Sequence, residues 1–171
     1  VITPEPAGEP SRPALALARL THAQWLAVNL YEAVVRMPER LADEHDRADR
    51  PPGRGPLRRG SPAHYHVPAI PLVLGSAVAA AGTGPGSPGA RRAALVAAGS
   101  SLVATVLSGY LVRTVNLRLL GDGPPIAADE RERLLARWDK VNGVRLVLLA
   151  VATAGFEYAG RADQDSSAPA E

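Results

Sequence analysis

Four apolar blocks, each bounded by proline or glycine, organise the chain. The first runs from Ala14 to Met37 and stops at Pro38. The second runs from Val67 to Gly82, with Pro62 ahead of it and Pro68 and Pro71 in its opening turns, where proline is tolerated. A third spans Ala93 to Leu120 and is stopped by Gly121, Gly123, Pro124 and Pro125; the fourth spans Arg131 to Tyr158, with Val141 to Phe156 as its apolar part. Segments 69–81, 93–107 and 146–156 carry no charge at all. A helix on the surface of a soluble bundle, the alternative architecture, shows a charged face, whereas a helix apolar all round is buried or spans a membrane. A bilayer core about 30 Å thick takes roughly 20 helical residues. The third block meets that length, and tilt absorbs a modest shortfall in the others. The pattern predicts an all-α fold, a four-helix transmembrane bundle over residues 14–159, with disordered tails at 1–13 and 160–171. A long charged loop over 38–62 joins helices one and two.

Polar residues interrupt these blocks at helical spacing. His22, Trp25, Asn29, Glu32 and Arg36 recur at steps of three and four in the first block. Thr105, Arg113 and Asn116 share a face of the third, with Gly109 between, and Trp138, Asn142 and Arg145 form a stripe on the fourth. In an otherwise apolar helix such stripes point at one another, and inside a membrane they mark a functional site. Connectivity sharpens this. With four consecutive spans, the ends of helices one and three meet the starts of helices two and four, so Glu32, the His64-Tyr65-His66 segment, Arg113, Asn116, Trp138, Asn142 and Arg145 all fall at one end. On that side segments 36–59 and 113–140 carry thirteen Lys or Arg residues against five on the other, which assigns it to the cytoplasmic side with both termini outside.

Composition narrows the chemistry. There is no cysteine, which removes disulfides, thiolate metal sites and cysteine nucleophiles. The net charge is only +2, and no motif of the nucleic-acid-binding modules is present, so no nucleic-acid partner is expected. The expected partners are the lipid bilayer, a lipophilic small molecule and a second copy of the chain in an oligomer. Segment 1–13 lacks the basic start and apolar core of a signal peptide.

Glu32 in an apolar helix needs a cationic partner, which Arg145 or Arg113 would supply. Arg36 and Arg118 read as interfacial anchors that snorkel to water, and the two Trp residues as membrane-belt anchors. His64 and His66, flanking Tyr65, can project together from an extended strand and bind a single metal ion with Glu32 as a third ligand. A site with no cofactor is the alternative. His22 lies more than two turns from Glu32 and reads as a helix-contact residue.

These residues resemble a known pattern. The run Asn29-Leu-Tyr-Glu32-Ala-Val-Val-Arg-Met-Pro38 resembles the first helix of the anthrone oxygenase-like family of small four-helix membrane proteins. Thr114-Val-Asn116-Leu is similar to the family's third-helix ending, and Arg137-Trp138-Asp-Lys-Val-Asn142-Gly-Val-Arg145 to its fourth-helix pattern of Trp, then Asn, then Arg. The resemblance covers residues 14 to 159. It implies an integral membrane oxygenase or oxidoreductase acting on a lipophilic, anthrone-like aromatic. In that role Glu32, Asn142 and Arg145 are the candidate catalytic residues, and Asn29, Tyr65, Arg113, Asn116 and Trp138 the candidate substrate contacts. The competing expectation is a non-catalytic membrane binding or accessory protein whose polar cluster is structural.

Overall fold

A computed structural model describes residues 11–40, 62–83, 87–120 and 126–165; of residues 11, 62–68 and 120 the backbone alone is described. The described residues are helical, without strands. Helix α1 spans Ser11–Val34, α2 spans Pro62–Thr83 and α3 spans Pro88–Leu111. A π turn, Val112–Asn116, carries α3 into the short α4, Leu117–Leu120, and α5 spans Ala128–Asp165.

Local chemistry explains the ends. Ser87 caps α3 by accepting the Ala90 N–H at 3.2 Å, and Pro88 follows in the first turn, where its missing N–H costs nothing. Asp129 and Glu130 sit in the first turn of α5, against the positive end of its dipole. Helix α1 ends where Arg36 turns into the left-handed region at φ 51°, followed by a single helical turn over 37–40 that begins next to Pro38. Arg36 thereby leaves the polar stripe: its side chain is exposed and lies 3.4 Å from Glu39.

Three boundaries differ from the sequence expectations. Helix α1 begins at Ser11, and α5 continues through Asp165, six residues past the expected end. The added turns are tied together, since Arg12 stands 4.0 Å from Asp163. Helix α2 begins at Pro62, so the backbone at His64, Tyr65 and His66 is helical, not extended. Proline at the first helical position preorganises that start. Most of the expected charged loop, 41–61, lies outside the described residues, as do 1–10 and 166–171.

Helix α5 packs against α1 and α3, and α2 against both α1 and α3. Two contacts fix the α1–α5 register: Arg19 with Glu157 at 2.8 Å, and Glu32 with Arg145 at 3.6 Å. These pairs lie nearly equally far apart on each helix and in opposite order, so the helices run antiparallel. The core divides into two apolar clusters. One is built from alanines of α1, α2, α3 and α5 around Leu15 and Phe156; the other joins Leu111, Val115, Leu119, Leu134 and Trp138. Between them along α5 lie Asn142 and Arg145.

Among the described residues two helical segments are long and apolar enough to cross a membrane, Pro88–Leu119 and Ala128–Asp165; Ala69–Thr83 is apolar but shorter. The α3–α5 crossing is close because the residues there are small. A Cβ on Gly155 would lie 2.9 Å from Ala97 Cβ and 3.0 Å from the Ala93 carbonyl oxygen, whereas one on Gly99 would meet nothing within 4 Å. Gly155→Ala is therefore expected to destabilise the fold by about 1–3 kcal/mol through overpacking. Gly99→Ala should be neutral or slightly stabilising, since alanine is the better helix former. Thermal unfolding of the detergent-solubilised variants measures both.

Candidate functional site

The Arg145 guanidinium is the centre of a buried polar cluster. Its residue is 7 % exposed. Nε and Nη2 both donate to Asn142 Oδ1, at 3.0 and 2.6 Å. Nη1 donates to Ser108 Oγ at 3.3 Å. Nη2 stands 3.6 Å from Glu32 Oε2, and the Glu32 side chain is itself only 13 % exposed. Asn142 sits three residues before Arg145, so one helix face presents both. Ser108 donates its own hydroxyl to the Ala104 carbonyl at 2.9 Å, which leaves its oxygen to accept from Arg145. Three helices thus contribute: α1 the carboxylate, α3 a hydroxyl, α5 the cation and an amide. Ser108 carries no signal in the sequence stripes, although it lies seven residues after Ser101 and so on the same face of α3.

Trp138 faces inward. It is buried in the apolar cluster with Leu111, Val115, Leu119 and Leu134, one turn below Asn142, and is not a belt anchor; Trp25 is half-buried. Arg113 is exposed and Asn116 half-buried, both on the π turn. A π turn takes more residues per turn than an α-helix, so the spacing that aligned Thr105, Arg113 and Asn116 on one face does not survive it. Arg118 pairs with Glu130 through two hydrogen bonds, at 2.9 and 3.2 Å, and joins α4 to α5. The side chains of His64, Tyr65 and His66 lie outside the described residues. Among the described residues, no three of His, Cys, Asp or Glu gather as a metal site would require.

Asn29 is fully buried. Its Nδ2 donates to the Trp25 carbonyl at 2.7 Å, while its Oδ1 has no hydrogen-bond partner among the described residues.

A second polar group lies deeper. His22 is fully buried, with Nδ1 2.8 Å from the Ala18 carbonyl oxygen and Nε2 2.8 Å from Ser101 Oγ. The carbonyl can only accept, so Nδ1 carries a proton, and in the neutral ring Ser101 donates to Nε2. Thr21 Oγ1 lies 3.0 Å from Ser76 Oγ, and the His22 ring packs 4.7 Å from that of Phe156. His22 is a helix-contact residue, and with Thr21 it ties α1 to both α2 and α3. Beside it, Thr21, Gln24, Trp25, Val28, Ala69, Ile70, Leu72 and Val73 line a half-open cavity of about 150 Å³ between α1 and α2.

Removing one partner of a buried ion pair leaves the other charge uncompensated. Arg145→Met alone should destabilise the protein by about 3–5 kcal/mol, and Glu32→Met/Arg145→Met should recover most of that loss. Thermal unfolding of the two single variants and the double variant measures the coupling.

The chain matches a family model described as anthrone oxygenase over residues 61–155. That span takes in α2, α3, the π turn and α5 through Gly155, with Trp138, Asn142 and Arg145, and leaves α1 with Glu32 and Asn29 outside it. No curated protein and no solved structure matches. Covering more than half of the chain, the match shows that the protein belongs to the anthrone oxygenase family.

Proposed function

We propose that this chain is an integral membrane oxygenase that oxidises a lipophilic, anthrone-like aromatic, with its four long helices forming a transmembrane bundle. Two sets of observations support the membrane reading. Large apolar side chains point outward on every long helix: Leu20 and Val34 on α1, Val78 on α2, Val96 and Val106 on α3, Val147 on α5. The two spanning-length segments are only 22 % and 33 % buried over their most apolar windows, so their apolar residues face outward, as lipid contact requires. The basic residues near the Glu32 end support a cytoplasmic placement of that end.

The observation that carries the enzymatic reading is the buried Glu32–Arg145 pair. An ionised carboxylate beside a guanidinium, shielded from water, is a base next to an oxyanion site. Glu32 takes a proton from the methylene of the anthrone. The charge left on the ring system spreads to the ketone oxygen, where Arg145 stabilises it, with Asn142 holding the guanidinium in place. The electron-rich carbon transfers electrons to dioxygen and bonds to it. The resulting peroxide loses water to leave a second ketone, so one dioxygen is consumed and one water released per anthrone oxidised to anthraquinone. Tyr65, Asn116 and Trp138 belong to this reading as substrate-side residues. His64 and His66 enter it as the variant in which a metal ion assists.

A second reading is favoured by the bonding of Arg145 itself, whose three nitrogens are already engaged by Asn142, Ser108 and Glu32. Such a knot pins three helices together in a binding or accessory protein without catalysis. The two readings separate on Glu32→Gln, which keeps shape and hydrogen bonding while removing the charge. With the enzyme, anthrone-dependent dioxygen uptake should fall at least about a hundredfold, the usual weight of a general base, while the protein still elutes as a folded species. Retained turnover would reject catalysis by Glu32. The metal variant has its own measurement: a stoichiometric metal in purified protein should disappear in His64→Ala/His66→Ala, and an unchanged metal content would exclude those ligands.

A further inference from the structure

Helices α1 and α2 leave a half-open cleft of about 150 Å³ between them. A cavity of that size takes one six-membered ring. Its back wall is formed by Thr21 and Val73, both buried. The Thr21 hydroxyl is already engaged, with Oγ1 2.9 Å from the Leu17 carbonyl oxygen and 3.0 Å from Ser76 Oγ. Trp25 forms one side, its ring held edge-on to that of His22 at 6.3 Å. Val28, Leu72 and Gln24 stand at the mouth, all three exposed. Two of these features exceed what an acyl chain can use. The Trp25 indole is a flat, rigid wall suited to another ring. The Gln24 amide carries N–H donors for which lipid tails offer no acceptor. A flat aromatic with a ketone oxygen matches both.

Position gives the cleft a direction. Thr21, Trp25, Val28 and Glu32 follow at steps of four, three and four, so they share one face of α1. Glu32 stands one turn beyond Val28, about 6 Å along the axis. The cleft is therefore separate from the Glu32–Arg145 cluster, yet it continues along the helix face that carries Glu32. We propose that the α1–α2 cleft is a second, membrane-facing binding site, which takes one ring of a flat aromatic ketone directly from the bilayer and holds it beside Trp25, one turn short of Glu32. Its ligand class and its opening to lipid rest on the membrane-oxygenase reading above. Lipid tails are as apolar as the cleft wall, so burial alone gives no affinity there; ring packing on Trp25 and the Gln24 hydrogen bond supply it.

The test is quenching of tryptophan emission by anthraquinone, a flat diketone, with the full chain reconstituted in phosphatidylcholine vesicles. Trp25 and Trp138 are the two emitters. The unaltered protein should show a saturable component. Ala69→Phe, which fills the cleft from an exposed position, should abolish that component, and Gln24→Leu should weaken it by about threefold or more. Quenching that rises only linearly with anthraquinone per lipid, as for a probe dissolved among acyl chains, overturns the site. So does a saturable component that Ala69→Phe and Gln24→Leu leave unchanged, because the ligand then sits elsewhere. The unaltered protein alone can give an overturning result, so the test does not depend on a variant folding. Anthrone-dependent dioxygen uptake by the unaltered protein separates the two readings. Uptake without saturable quenching removes the cleft site and leaves the enzyme standing; quenching that behaves as expected without uptake keeps the site, in a binding protein.

Discussion

A guanidinium buried between helices with apolar exteriors is the constraint on which the rest of this structure depends. Taking the charge of Arg145 out of water costs several kcal/mol unless it is paired and hydrogen-bonded. The chain meets that cost with groups from three helices: Glu32, Ser108 and Asn142. Each partner requires its helix at a particular depth and rotation. Once Glu32 faces Arg145, the antiparallel α1–α5 register brings Arg19 opposite Glu157 at the far end. Once Ser108 reaches Arg145, α3 lies against α5, and Gly155 is what allows the backbones to meet at Ala97. The polar cluster thus acts as a register key, and the alanine-rich and Trp138-centred clusters above and below it supply close packing.

The same constraint connects fold to chemistry. A cluster that only needed to lock helices would be complete when each donor and acceptor had a partner. Arg145 meets that description, but Asn29 does not, because its oxygen is enclosed and unmatched. The unmatched group lies on the same helix face as the Glu32 carboxylate. Packing thus accounts for Arg145 and Asn142, while the Asn29 oxygen is the part of the cluster that packing alone does not explain.

Much of this is legible in the amino-acid sequence itself. Helical spacing alone isolated Asn29 and Glu32 on one stripe and Trp138, Asn142 and Arg145 on another, because an α-helix preserves a regular period and both stripes lie in uninterrupted helix. The third stripe was misread for the converse reason. A π turn at Val112–Asn116 breaks the period, and five residues such as Val-Arg-Thr-Val-Asn carry no mark of it. Arg36 leaves the stripe because the helix ends at Val34 and Arg36 itself takes up the left-handed conformation, a feature that Pro38 hints at without fixing. Ser108 was invisible because one serine in an apolar run resembles any small helix-packing residue until its partner is known. The helical start at Pro62 is legible only in part: proline favours a first turn, but the apolar block begins at Val67, so the sequence leaves Pro62 ahead of the helix.

The π turn has a further consequence for how the site is built. It falls where α3 leaves the polar cluster, four residues beyond Ser108, and directly against Trp138. An unbroken α-helix would rotate the segment after Leu111 by part of a turn relative to what is seen. Val115 and Leu119, at four-residue steps from Leu111, are buried against Trp138, and Arg113 is exposed. Trp138 in turn stands one turn before Asn142, whose oxygen holds the Arg145 guanidinium. The π turn therefore supports the site at one remove: its Val115 belongs to the apolar floor that packs against the start of the Trp138–Asn142–Arg145 face. Departures from helical regularity often fall at functional sites, and this one lies between Ser108, which accepts from Arg145, and the segment that packs on Trp138.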